Sequence, residues 1–310
     1  MQLKNKDLLG LEGVSAEEIN LILDSAKSMK DYLKQGVKKM PQLQNKSVVT
    51  LFYENSTRTK MSFDLAGKYL GASMSAIAAS SSSIQKGETL LDTGRTLEAM
   101  GIDIVIMRHP MSGAPEFLGK NINAKVINAG DGMHEHPTQA LLDMYTMKEK
   151  LGRIDGLKVA IVGDILHSRV ARSNVFGLQT MGAEVTLCGP ATLMPMEIEK
   201  TGAKVTYDIK EALKDADVVM GLRLQLERQK SGLLPSLREY NELFGVTKEN
   251  IQLAKPNALI MHPGPVNRGV EMDTDIIDHD RSVITEQVTN GVAIRMALLY
   301  LMTRKKEELV

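Results

Sequence analysis

Ser56-Thr57-Arg58-Thr59 gathers four residues with anion-binding chemistry directly after the apolar run Val48-Val49-Thr50-Leu51-Phe52-Tyr53. A strand-like run feeding a helix brings backbone N–H groups, hydroxyls and a guanidinium to one point, as a phosphate site requires. Arg108-His109-Pro110, His136-Pro137-Thr138-Gln139, Arg169, Arg223 and His262-Pro263-Gly264-Pro265 also stand at or near the ends of apolar runs. Together they suit a substrate with several negative charges and one polarisable carbonyl, which neutral His136 and the Gln139 amide could hydrogen-bond. His134 and His136 have a spacing that could suggest a metal. No Asp, Glu or Cys cluster completes such a site, however, and His136-Pro137 opens a helix instead, so no metal is expected. Nor is a cofactor expected. The strand-like Leu157–Val162 run resembles the start of a dinucleotide fold, yet after Gly163 come Asp164, Ile165 and Leu166 and the G-x-G-x-x-G pattern is absent. The G-x-x-x-x-G-K-[ST] loop and the G-x-S-x-G elbow are missing too.

Positioning these residues requires alternating strands and helices. Helices are predicted over Ala16–Leu33, Thr57–Leu70, Thr89–Ala99, from Pro115, Pro137–Leu151, Ser168–Met181 and Thr285–Arg304. Strands are predicted over Ser47–Tyr53, Ile102–Met107, Lys125–Ala129, Leu157–Val162, Glu184–Leu187, Lys204–Tyr207, Ala216–Met220 and Ala258–Met261. Hydroxyls at the start of the Thr57 helix are expected to cap it, and Val288, Val292, Met296 and Leu299 to form the buried stripe of the last one, with Gly291 permitting close packing or a slight bend. The near-continuous apolar strands suit parallel sheets covered on both faces. The fold class is therefore α/β, with two parallel-sheet domains of similar size and the active site in the crevice between them, beyond the carboxyl ends of the strands. The terminal helix could belong to either domain. Ala79–Gly87, with its four consecutive serines, reads either as a mobile loop that closes over a ligand or as a plain surface turn.

Composition narrows the function classes. The 310 residues suffice for two compact domains. Lys plus Arg and Asp plus Glu both number 38, giving a net charge of +0 and none of the extended positive surface that nucleic acid needs. Anionic small substrates would be held by local arginines. Cys188, the only cysteine, lies in an apolar run and reads as a buried small hydrophobe in a reducing, cytoplasmic compartment. The first residues have no apolar signal segment, and no charge-free stretch reaches membrane-spanning length. A non-catalytic binding protein for anionic metabolites is the other functional class these residues could serve.

Over roughly residues 1 to 305 the chain resembles the catalytic chains of the aspartate/ornithine carbamoyltransferase superfamily. Ser56-Thr57-Arg58-Thr59 matches the superfamily signature, and Arg108-His109-Pro110 with His136-Pro137-Thr138-Gln139 matches the rest of its carbamoyl phosphate site. Lys86-Gly87-Glu88-Thr89 looks like the mobile loop of the aspartate-specific branch, and Arg169 and Arg223-Leu224-Gln225 fall where that branch holds the two carboxylates of aspartate. Ornithine-specific relatives carry His-Cys-Leu-Pro where this chain has His262-Pro263-Gly264-Pro265.

The resemblance implies transfer of the carbamoyl group of carbamoyl phosphate to L-aspartate, giving N-carbamoyl-L-aspartate and phosphate in de novo pyrimidine biosynthesis. It assigns catalysis to Arg58, Thr59, Lys86, Arg108 and His136. Carbamoyl phosphate would be held by Ser56, Thr57, Arg58, Thr59, Arg108, His136, Gln139, Gly264 and Pro265, and aspartate by Lys86, Arg169, Arg223 and Gln225. It divides the chain into a carbamoyl phosphate domain, 1–140 joined by the terminal helix 285–310, and an aspartate domain, 141–284. It also implies carbamoyl phosphate binding first, and a homotrimer in which Lys86 and a loop serine, Ser82 or Ser83, reach the neighbouring chain's site. A regulatory chain or a dihydroorotase partner is compatible with it, although Gly264-Pro265-Val266-Asn267-Arg268-Gly269 looks more like the unregulated trimers.

Overall fold

The computed structural model describes residues 3–78, 87–225, 233–234 and 236–304. The chain forms two compact units, residues 1–142 with 288–310, and residues 143–287. Each is an α/β unit built on one parallel sheet.

The first unit opens with α1 (Ala16–Lys34), β1 (Ser47–Phe52), α2 (Thr57–Tyr69), β2 (Ser73–Ala78) and α3 (Leu90–Ala99). It continues with β3 (Ile104–His109), α4 (Ala114–Asn121), β4 (Lys125–Asp131) and α5 (Pro137–Leu151), inside which the division between units falls. The strand order is β2-β1-β3-β4, all parallel, with Val49, Leu51, Val105, Met107 and Val126 in the core. The β-branched and long apolar residues of β1, β3 and β4 bury nearly their whole length, as central parallel strands do. Edge strand β2 is half exposed, and its serines and alanines gave no strand signal in the sequence.

The second unit contains β5 (Lys158–Val162), α6 (Arg169–Thr180), β6 (Glu184–Cys188), β7 (Lys204–Thr206), α7 (Ile209–Leu213), β8 (Val218–Gly221), α8 (Leu237–Phe244), β9 (Leu259–Met261) and α9 (Thr274–Ile277). Its sheet runs β7-β6-β5-β8-β9. The last helix, α10 (Ile284–Thr303), begins in this unit and ends in the first. Its expected buried stripe is corrected by the structure. Val288 is 52% exposed, whereas Ala293 through Leu299 are all buried, so α10 is covered around most of its circumference rather than along one seam. Among the described residues no helix is long and apolar enough to cross a membrane.

Candidate active site

In the first unit the singled-out residues collect at the carboxyl ends of three adjacent strands. Ser56 is the N-cap of α2, with Thr59 buried behind it and Thr57 and Arg58 exposed. The expected hydroxyl cap is absent, because the Ser56 side chain makes no capping bond to α2. Ser15, Thr89, Ser168 and Ser236 do bond the first-turn amides of α1, α3, α6 and α8. Nor does α2 have an acidic residue in its first turn. Its N-terminal amides and positive dipole end are thus left to an outside anion.

Arg108 stands beside the end of β1, in register with Phe52. The pairing of β3 with β4 shifts between Met107 and His109, so Arg108 falls on an irregularity of the kind that re-aims a side chain. Its Nε donates to Glu54 Oε2 at 3.1 Å and Nη1 to the Ala129 carbonyl at 3.5 Å. His109 turns inward instead. Its ring meets Tyr53 edge-on at 4.5 Å, its Nδ1 accepts the Met111 N–H, and burial pushes it below the ordinary imidazole value. It is a neutral core histidine.

His136, buried, precedes α5, and its carbonyl accepts from the Gln139 N–H at 3.0 Å. A buried polar network sets the segment that delivers it. Asn128 Nδ2 donates to Asp131 Oδ1 at 2.7 Å and to the Leu9 carbonyl at 2.8 Å. Asp131 also accepts from the Gly113 and Glu135 N–H groups, and Glu135 accepts from the Leu11 N–H at 2.8 Å. Burial works against the Asp131 charge, but the bonds from His134, Gly113 and Asn128 outweigh it and hold the carboxyl below the usual carboxylate range. His134 pairs with Asp131 at 3.1 Å, which gives it a structural occupation.

In the second unit the residues again sit beyond adjacent strands. Gly163, at φ 143°, lets β5 and β8 stay close at their ends, since a Cβ there would stand 2.7 Å from the Leu222 carbonyl oxygen. Arg169 is the first residue of α6 and is buried; Arg223 and Gln225 follow β8 and are half-buried. The two segments are tied together. Buried Asp164 meets His167 Nδ1 at 2.9 Å and accepts from the Gln225 N–H at 3.4 Å, while Gln225 Nε2 donates to the His167 carbonyl at 3.0 Å. Two guanidinium-bearing segments fixed side by side suit a dicarboxylate.

Gly264 and Pro265 lie after β9, where His262 Nδ1 accepts the Gly264 N–H at 2.8 Å. His262 Nε2 stands 3.3 Å from Glu271, which accepts from the Asn267 N–H at 2.7 Å. Ser82, Ser83 and Lys86 lie outside the described residues.

Sequence reasoning missed Glu54, the Asn128–Asp131–Glu135 network and the Asp164–His167 pair. Only the last left a readable signal, an Asp and a His three residues apart in a strand-to-helix turn.

The geometry agrees with the comparisons. Residues 6–149 match the family profile described as the carbamoyl-P binding domain of aspartate/ornithine carbamoyltransferase, and residues 155–302 match its Asp/Orn binding domain. The aspartate carbamoyltransferase catalytic subunit of Ruminiclostridium cellulolyticum is 65% identical over 305 residues, 98% of this chain and 97% of that one. The corresponding subunit of Acetivibrio thermocellus is 63% identical over 305 residues, 98% of each chain. The structure of aspartate transcarbamoylase from Trypanosoma cruzi with carbamoyl phosphate and aspartate is 33% identical, with a TM-score of 0.87 over 96% of this chain and 97% of that one. Ornithine carbamoyltransferase from Pyrococcus furiosus superposes with a TM-score of 0.86 at 33% identity, over 97% of this chain and 98% of that one. The chain belongs to the aspartate/ornithine carbamoyltransferase family and, within it, to the aspartate carbamoyltransferase catalytic chains.

Proposed function

We propose that the two units divide the substrates of this reaction between them. The enzyme transfers the carbamoyl group of carbamoyl phosphate to aspartate in pyrimidine biosynthesis. Carbamoyl phosphate is anchored by the first unit, residues 1–140 with helix 285–310 in the domain division read from the sequence, and the second reaches its NH2 through the carbonyls near Gly264 and Pro265. Aspartate belongs to the second, residues 141–284. The observation that supports this most is the uncapped N-terminus of α2, which follows the strand whose end pairs with Arg108, together with the arginine-bearing segments of the second unit tied by Asp164, His167 and Gln225.

In this reading the α2 amides, Ser56, Thr57, Thr59 and the Arg58 fork take the phosphate oxygens. Arg108 and His136 polarise the carbamoyl oxygen, and Gln139 with the carbonyls near Gly264 and Pro265 orients its NH2. Arg169, Arg223 and Gln225 hold the aspartate carboxylates. The unprotonated aspartate amine attacks the carbamoyl carbon, and the tetrahedral intermediate collapses as the C–O bond to phosphate breaks. The departing phosphate takes the proton the nitrogen loses. Arg58, Thr59, Arg108 and His136 stabilise the charge that develops on the carbamoyl oxygen and the leaving phosphate, and holding both substrates in place supplies much of the remainder.

Lys86 completes the aspartate subsite from a neighbouring chain. The assembly is an oligomer of the kind the family forms, and we propose a homotrimer whose sites are shared between adjacent chains. A regulatory or dihydroorotase partner is compatible with that trimer. A colorimetric assay for N-carbamoyl-aspartate is the test. Product is expected with carbamoyl phosphate and aspartate. Turnover of ornithine without turnover of aspartate would contradict the specificity.

A further inference from the structure

The reaction as derived leaves a buried guanidinium unused. Arg295, on α10, is 4% exposed. Its Nη1 donates to Ser62 Oγ at 2.8 Å and its Nη2 to Thr138 Oγ1 at 3.5 Å, and its guanidinium carbon lies 5.0 Å from the centre of the Phe63 ring. These partners come from the two helices that begin the carbamoyl phosphate set. Ser62 follows Thr59 by three residues and Arg58 by four, which puts it one turn further along the same side of α2. Thr138 stands between Pro137 and Gln139 in the first turn of α5.

A place is made for this side chain. A Cβ at Gly291, one turn earlier on α10, would stand 2.7 Å from Arg295 Nη1 and 3.2 Å from Leu142 Cδ2. Glycine in a helix interior costs stability relative to alanine, and the space it opens here is filled by the guanidinium. Packing alone would be met by leucine or methionine, without the cost of burying a charge. What an aliphatic residue cannot do is donate in two directions within one plane, and lysine lacks that fork as well.

We infer that Arg295 is a positioning residue for carbamoyl phosphate, setting the first turns of α2 and α5 relative to each other. It thereby spaces Arg58 and Thr59 against His136 and Gln139. The inference rests on the assignment of carbamoyl phosphate to those residues. It gives the terminal helix a role in substrate geometry besides its role in the core.

The test compares Arg295→Lys, Ser62→Ala, Thr138→Val and Arg58→Ala in steady-state kinetics and in calorimetric titration with carbamoyl phosphate. Arg295→Lys should raise KM for carbamoyl phosphate about tenfold, the scale of one hydrogen bond to a charged group, and the single-hydroxyl variants, which each keep the other bond, about threefold. KM for aspartate at saturating carbamoyl phosphate should stay within about twofold, because the second substrate's residues are untouched. A folded Arg295→Lys enzyme with unchanged KM for carbamoyl phosphate, or with both KM values raised alike, would overturn the inference. If Arg295→Lys does not fold, Ser62→Ala and Thr138→Val decide: a raised carbamoyl phosphate KM supports the clamp and an unchanged one overturns it. Unchanged carbamoyl phosphate affinity in Arg58→Ala would instead bring down the assignment of the phosphate to α2, and the clamp with it.

Discussion

Arg108 Nε donates to Glu54 Oε2 at 3.1 Å, and both side chains are mostly buried, at 16% and 20% exposure. The contact joins the loop after β1 to the end of β3 and fixes the guanidinium through its inner nitrogen. In the proposed reading, Glu54 acts on the substrate through Arg108. Glu54→Ala is expected to lower kcat/KM by about ten- to a hundredfold, through loss of a charge-assisted bond worth about 1.5–3 kcal/mol. Glu54→Gln, which still accepts from Nε, should keep most of the activity. Equal losses in both variants would contradict an orienting role.

Asp131 carries the acid sensitivity of the His136 segment. Its carboxyl is held below the usual 3.8 despite burial, by His134, the Gly113 N–H and Asn128. A folded value below the unfolded one means that this contribution is complete above about pH 4 and is lost as pH falls through the folded value. Asp131→Asn should melt at a lower temperature near neutrality. Its melting temperature should also fall less steeply than the parent's as the pH is taken below about 4. Parallel acid profiles in thermal denaturation would show that the network does not depend on the Asp131 charge.

Much of this was legible in the chain because strand ends concentrate the chemistry. The apolar runs ending at Tyr53, Met107 and Met261 marked β1, β3 and β9, and with them the positions of Arg58, Arg108 and Gly264. The residues that orient them were not legible. Glu54 looks like an ordinary loop acid, and Asn128 an ordinary turn residue, until the neighbouring strand is in place. Ser56 looked like a helix cap because the pattern cannot say where a hydroxyl points. Val288 was misplaced because α10 is covered on most sides, and a single-stripe reading assumes one wet face. Strand β2 was missed because its edge position allows serine and alanine where a central strand would need bulk.

Cys188 meets the sequence expectation of a buried hydrophobe. Burial, with Asp208 and Glu211 adding to it, pushes the thiol up to about 12. The thiolate is the reactive form, so the native enzyme should not react with a thiol-specific chromogen at pH 8, and should release one equivalent on unfolding. Rapid labelling of native protein with loss of activity would contradict this.

Lys86 tests the shared site. Arg58→Ala and Lys86→Ala chains, each inactive alone, should regain some activity after denaturation and joint reassembly. In the proposed homotrimer, a mixed assembly would set an intact Arg58 against an intact Lys86 from the neighbouring chain. Properly assembled hybrids that stay inactive would count against a site built from two chains.

Calorimetry on Arg58→Ala and Arg169→Ala tests the proposed division of the two substrates between the two units. Arg58 is exposed, so its truncation removes no core packing, and it should cost about 3–5 kcal/mol of transition-state stabilisation. Titrated with carbamoyl phosphate alone, Arg58→Ala should show a large loss of affinity and Arg169→Ala almost none. Titrated with succinate in saturating carbamoyl phosphate, Arg169→Ala should show the loss. Equal losses for both ligands in both variants would contradict the division.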